Sequence, residues 1–158
     1  MKAVYADFTS VIIDATSHPF EQNIALAKKI VEIVQTVNIF VEAELGTIGV
    51  AEGSGEGDSN EILYTNPLKA ETFVSEIGTD TLAVAIGTSH GLYPKGKQPK
   101  LDIERLQQVR KVVDITLVLH GGSGNKDSEV AKLIRYGVSK INTSSDMKKL
   151  FSWCWSRS

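Results

Sequence analysis

Apolar positions along the chain fall into two alternating rhythms, one of period two and one near 3.6. Ser10–Asp14 (Ser-Val-Ile-Ile-Asp) is a short β-branched run that predicts a strand ending at Asp14. After a loop at Thr16-Ser17-His18-Pro19, Ile24, Ala27, Val31 and Val34 recur at helical spacing and predict a helix over roughly 20–36. Ile39–Leu45 returns to strand rhythm, with Phe40, Glu42 and Glu44 on one side and Val41, Ala43 and Leu45 on the other. Asn66-Pro67 opens a helix striped by Ala70, Phe73, Val74 and Ile77 and closed by Gly78. Leu82–Gly91 reads as a buried strand, centred on Thr81–Ile86, that ends in a histidine flanked by small residues. Asp102 caps a helix burying Leu106, Val109 and Val113, and the strand Ile115–Leu119 leads to His120. A helix near Asp127–Tyr136 buries Val130, Leu133 and Ile134 and stops at Gly137; the strand Ser139–Asn142 and a last helix complete the order.

Strands that alternate with helices imply parallel βαβ units with right-handed crossovers. Two architectures satisfy this: an open doubly wound sheet, and part of a (β/α)8 barrel. At 158 residues the pattern alone favours the open sheet. No G-x-G-x-x-G follows the first strand, so a dinucleotide site has no support.

Composition narrows the function classes. With 17 Lys+Arg against 19 Asp+Glu, the net charge of −2 is not that of a nucleic-acid binder. The single cysteine, Cys154, allows no internal disulfide and fits a reducing cytosol. No apolar run is long enough to span a bilayer, and Asp7 and Asp14 interrupt the N-terminal stretch that a signal peptide would need.

The chemistry gathers at strand ends. Two apolar strands each deliver a histidine, His90 and His120, and glycine follows both. Ligands bind at the C-terminal end of parallel strands. Two imidazoles there point to a metal, and the glycines leave amides free to meet an anion; the alternative is a pair of satisfied core histidines. Glu42 and Glu44 on an apolar strand are costly unless paired, the alternative being an edge strand with its glutamates in water. Gly46–Gly57 carries five glycines with Glu52 and Glu56 and reads as a mobile surface loop.

A run of motifs resembles one family. Asp14 with His18-Pro19-Phe20-Glu21, Val41-Glu42-Ala43-Glu44-Leu45-Gly46, Ala83–Gly91, Leu119-His120-Gly121-Gly122-Ser123-Gly124 and Lys140-Ile141-Asn142 are similar, in order, to the successive motifs of the class II, zinc-dependent ketose-bisphosphate aldolases. The resemblance runs from about Asp7 to Leu150 and implies an α/β fold, a partial TIM (β/α)8 barrel holding strands four to eight. Family members are single barrels about twice this length. The first three βα units, with an Asp-His pair that includes the third zinc ligand, are therefore expected to be missing. Residues 1–150 form the barrel part, and Phe151–Ser158 is a divergent tail.

The resemblance also implies roles. His90 and His120 are zinc ligands, and Asp14 and Glu44 match carboxylates beside the metal. Glu52 matches a mobile glutamate that moves the substrate's proton; its alternative is a solvated loop acid. Gly91, Gly121, Gly122, Ser123, Thr143, Ser144 and Ser145 match the phosphate-holding loops. Lys95 matches a phosphate-neutralising lysine or is simply an exposed one. Asn142 matches an asparagine that steadies the enediolate, and Ser144 stands where the family often has Asp. The implied reaction is reversible aldol cleavage of fructose 1,6-bisphosphate, with tagatose bisphosphate as the alternative substrate and Zn²⁺ as cofactor, in the cytoplasm. The chain is then an aldolase by descent, or a non-catalytic half-barrel that is inert, partly unfolded or paired with a complementing N-terminal half, or an unrelated metal-free phosphate-binding domain; a homo-oligomer is a further expectation.

Overall fold

The computed structural model describes residues 3–50, 63–91, 93 and 99–155. Five strands, β1 (Ser10–Ile13), β2 (Phe40–Leu45), β4 (Thr81–Val84), β6 (Thr116–Leu119) and β7 (Val138–Ile141), form one sheet, in that spatial order and parallel at every step. A second, two-stranded parallel sheet pairs β3 (Gly49–Val50) with β5 (Ser89–His90).

The helices follow the sequence cues closely. α1 (Phe20–Val34) runs into a 3-10 turn, and Asn38 closes it at φ 56°. α2 (Pro67–Ile77) starts where the Asn66 side chain accepts from the amides of Leu68 and Lys69, and it stops at Gly78 with φ 66°. α3 (Ile103–Val112) is capped by Asp102, whose carboxylate accepts from the Arg105 amide. α4 is Asp127–Arg135 and α5 is Ser145–Trp155.

The order decides between the two architectures. A doubly wound sheet reverses direction at a switch point and carries helices on both faces. Here each strand lies beside its predecessor. One continuous core joins Ala27 of α1, Phe73 and Ile77 of α2, Leu106 and Val109 of α3 and Leu133 of α4 to Ala43, Leu45, Leu82, Val84, Leu117 and Leu119 of the sheet. All four helices thus cover the same face. That is the winding of a (β/α)8 barrel segment, not of the open sheet favoured by length alone.

Three further expectations change in detail. β4 ends at Val84, so His90 stands on the separate β5 instead of at the end of a long strand. Ile134, expected in the core, is 60% exposed, because α4 buries only Leu133 fully. β2 is an interior strand of the sheet, so its glutamates are not in water.

The uncovered face is the inside of the barrel segment, and its layers follow from register. Residues paired across parallel strands share a face. Glu44 lies level with Ala83, Ala83 with Val118, and Val118 with Lys140. The last pairing depends on a register shift. Leu117 pairs with Val138 but Val118 pairs with Lys140, so Ser139 is an extra residue on β7. Without that bulge, Lys140 would follow Val138 to the helix side; with it, Lys140 turns inward.

Candidate active site

Glu42 and Glu44 are 4% and 6% exposed, on a strand whose other face is apolar core. Burial at that level requires partners. The first partner, His120, arrives from two strands away and the others from three. His120 Nε2 lies 2.7 Å from Glu42 Oε1, and His120 Nδ1 lies 3.2 Å from Glu44 Oε2. Adjacent strands are about 4.8 Å apart, so β2 and β6 are separated by roughly twice that. The contact crosses β4 and the residue beyond it, where Ala83 and Ala85 are buried and small enough to let carboxylate and imidazole meet above them. Lys140 Nζ donates to Glu42 Oε2 at 2.7 Å, and Asn142 Nδ2 donates to Glu42 Oε1 at 3.4 Å.

The charges lock together. Burial would lower the His120 pKa, but hydrogen bonds to Glu42 and Glu44, with their charges, outweigh it and push the value from 6.5 up to about 9. Burial would raise the Glu42 carboxyl, but hydrogen bonds from His120 and Lys140 and their charges hold it below its ordinary value. Both ring nitrogens of His120 face carboxylate oxygens, the arrangement that favours its protonated form.

Above this cluster lies a cleft of about 210 Å³ lined by His90, Gly91, His120, Gly121, Ser123, Asn142, Thr143, Ser144 and Ser145. Its walls are fixed by close approaches. Gly121 has φ 66°, and a Cβ there would fall 2.7 Å from the Ser89 carbonyl oxygen, so only glycine lets the segment after His120 lie against the one carrying His90. Asn125 Nδ2 donates to the carbonyls of Gly121 (3.1 Å) and Gly122 (2.9 Å), which holds the glycine turn. The Ser89 amide donates to the Tyr93 hydroxyl at 2.6 Å. The Asp146 amide donates to Ser123 Oγ at 3.2 Å, and the Gly124 amide donates to Asp146 Oδ2 at 3.0 Å, tying the start of α5 to the turn.

Most of the residues named from sequence meet here. His90 and His120 share the cleft with Gly91, Gly121, Ser123, Asn142, Thr143, Ser144 and Ser145, and Glu44 lies against His120. Two others do not join. Asp14 is exposed, and its carboxylate accepts from the Thr16 amide (3.0 Å) and hydroxyl (2.7 Å), a local turn that takes it out of the cluster. Gly122 is behind the wall: its amide donates to the Asn142 carbonyl at 3.0 Å, and a Cβ would fall 2.5 Å from Ile141 Cγ2. Its work is to join the ends of β6 and β7 closely. Glu52 and Lys95 lie outside the described residues. Sequence reading passed over Glu42 and Lys140 as site residues. Their signal was present: a second carboxylate on an apolar strand needs a cation, and Lys140 stands in the short strand Val138–Ile141.

As a metal site the donor set fits zinc in kind, with two imidazoles beside two carboxylates. It fits only two corners in number, since no group of three His, Cys, Asp or Glu placed to hold an ion occurs among the described residues.

An inward-facing ionic cluster beside hydroxyls at a helix start, on strands in the spatial order of a barrel, marks the fold as part of a (β/α)8 barrel. The family profile described as fructose-bisphosphate aldolase class-II matches residues 1–155, and the chain belongs to that family. Among solved structures it is similar to the YdjI aldolase from Escherichia coli K12, at 34% identity and TM-score 0.75, over 94% of this chain and 48% of that one. A Coccidioides immitis protein solved as a candidate fructose-1,6-bisphosphate aldolase is 35% identical with TM-score 0.72, over 84% and 47%. A Campylobacter jejuni fructose-bisphosphate aldolase is 26% identical with TM-score 0.69, over 89% and 43%. The chain thus spans slightly less than half the length of these relatives. No helix among the described residues is long and apolar enough to cross a membrane.

Proposed function

We propose that this chain carries the metal- and phosphate-binding half of a zinc-dependent ketose-bisphosphate aldolase site, with fructose 1,6-bisphosphate as substrate and tagatose bisphosphate, its epimer, as the alternative. The observation that supports this most is that His90, His120, Asn142 and Thr143–Ser145 line one cleft. His90 and His120 would hold the zinc, which when bound supplies Lewis-acid polarisation of the substrate carbonyl.

The chain's own residues do the rest. The hydroxyls of Ser123, Thr143, Ser144 and Ser145, with the amides at the start of α5, meet a phosphate with donors and the positive end of the helix dipole. Gly91 and Gly121 allow close approach to that anion. Asn142 extends its amide beside Glu42 at the edge of the cleft, where it can donate to a substrate oxygen. Cleavage breaks C3–C4 as the C4 hydroxyl loses its proton, and Glu52, in this reading, is the loop acid that returns a proton to C3.

Among the described residues β1 and β7 each have a single neighbour in the sheet, and Phe8 and Ile12, before and on β1, are 58% and 50% exposed. Unpaired edges and bare apolar side chains favour the addition of further strands, from a second copy or a complementing half.

The test is titration of the zinc-loaded chain with fructose 1,6-bisphosphate and with unphosphorylated fructose, followed by an assay for triose phosphate release with a chelator control. Saturable binding of the bisphosphate alone, weakened by Ser123→Ala, is expected. Equal binding of both sugars, or none, overturns the reading.

A further inference from the structure

Two walls of the cleft come from different strands. One is β5 with Gly91; the other is the glycine turn that follows β6. β5 is only two residues long and pairs, among the described residues, with the two-residue β3. A ladder that short holds a segment weakly. A side chain outside the lining of the cleft does the rest. Tyr93 is half-buried and touches both walls from behind. Its hydroxyl oxygen accepts from the Ser89 amide at 2.6 Å. Its ring lies over Gly124, where a Cβ would fall 3.2 Å from Tyr93 Cδ2. We propose that Tyr93 is a positioning residue that fixes the spacing between the two walls, and with it the fit of the cleft to a phosphate group. The fit to phosphate rests on the proposed function; the bridge between the walls stands apart from it.

Ser89 is held through both of its backbone polar groups. Its carbonyl oxygen lies 2.7 Å from the place a Cβ on Gly121 would take, and its amide is tied to Tyr93. The close approach at Gly121 sets the least separation of the walls; the tether through Tyr93 sets the greatest. The tether ends where the turn is itself anchored. Gly124 has φ 76°, its amide donates to Asp146 Oδ2 at 3.0 Å, and the Asp146 amide donates to Ser123 Oγ at 3.2 Å. The ring thus packs on the residue that ties the glycine turn to the start of α5, so β5, the turn and α5 are fixed relative to one another. A phenol suits the task, since it spans a fixed length with only two side-chain torsions to order. Spacing matters because an anion held by hydroxyls and amides needs its donors within 2.7–3.2 Å, and a shift of about 0.5 Å in either wall takes some of them out of reach.

The experiment compares Tyr93→Phe and Tyr93→Leu with the parent chain, in chelator, by two readouts. Hydrogen exchange and chemical shifts of the Ser89 and Gly124 amides report the bridge without ligand. Titration with inorganic phosphate, followed on the amide signals, reports the cleft. Tyr93→Phe keeps the ring and loses the hydroxyl: Ser89 is expected to lose its exchange protection while the Gly124 signal stays in place, and phosphate should bind about fivefold more weakly. Tyr93→Leu is expected to move both signals and to weaken phosphate further. Unchanged Ser89 exchange in Tyr93→Phe overturns the proposal. So does a pair of variants that melt earlier yet bind phosphate as the parent does, which is the behaviour of a residue that only stabilises the fold. If the parent itself binds no phosphate, the phosphate reading of the cleft falls, and Ser89 exchange in Tyr93→Phe alone supports or overturns the bridge. Should the leucine form fail to fold, the phenylalanine form carries both readouts.

Discussion

The two histidine-bearing segments look alike in sequence and are built differently. Leu117–Gly124 brings His120 directly off β6 into a site where both ring nitrogens meet buried carboxylates. Leu82–Gly91 leaves its strand at Val84 and reaches His90 only after a further turn, on the two-residue β5. His90 is half-buried and has no side-chain hydrogen bond among the described residues. One histidine is part of the framework; the other is presented to the cleft by a short paired segment.

The strongest way to sharpen this contrast is to delete each ring. His120→Ala leaves Glu42 and Glu44 buried with too few cations and is expected to lower unfolding free energy by roughly 3 kcal/mol. His90→Ala should cost less than about 1 kcal/mol, yet both should abolish tight zinc binding. Urea unfolding and metal competition on the same samples check the pair. Equal destabilisation by the two would erase the distinction.

Next in size is the close contact that joins the segments. Gly121→Ala places a Cβ against the Ser89 carbonyl at a positive φ and is expected to cost roughly 2 kcal/mol. It should weaken phosphate and zinc binding together. Gly78→Ala is the comparison, since a Cβ there meets nothing within 4 Å at a similar φ of 66°. It carries the backbone strain without the collision, and calorimetric melting separates the two.

A pH experiment in chelator should show the framework role of His120 alone. Its folded pKa of about 9 lies above the ordinary 6.5. The stabilisation is complete below about pH 6.5 and disappears as pH rises through 9. The parent and His90→Ala should both lose stability across that window, and His120→Ala should lack that loss. Asn125→Ala, which removes two bonds to the Gly121 and Gly122 carbonyls, is expected to cost about 1 kcal/mol and should loosen the His120 turn more than β5.

What could be read from sequence followed the range of the physics involved. Helix starts at Asn66 and Asp102, the stop at Gly78 and the apolar stripe of α2 are set by neighbours within one turn, and the structure shows them where they were expected. The glycine-rich turn and the hydroxyls of residues 143–145 were legible for the same reason. The contact between Glu42 and His120 spans 78 positions and passes over Ala83 and Ala85, and nothing local announces it. The inward turn of Lys140 depends on an extra residue in β7 that no periodicity count reveals, because four residues are too few to show a slip. The choice between open sheet and barrel segment likewise needed the spatial order, since both share one alternation of strand and helix. Asp14, matched by motif to carboxylates beside the metal, is exposed and bonded to Thr16 two residues on, a local contact that the motif does not announce.

The central claim is that His90 and His120 present their rings to one zinc ion, and X-ray absorption at the zinc edge addresses it most directly. On the zinc-loaded parent, two imidazole nitrogens near 2.0–2.1 Å are expected, and zinc should be lost on desalting from His90→Ala and from His120→Ala. Zinc that washes out of the parent on desalting, or a spectrum that neither variant changes, would contradict it.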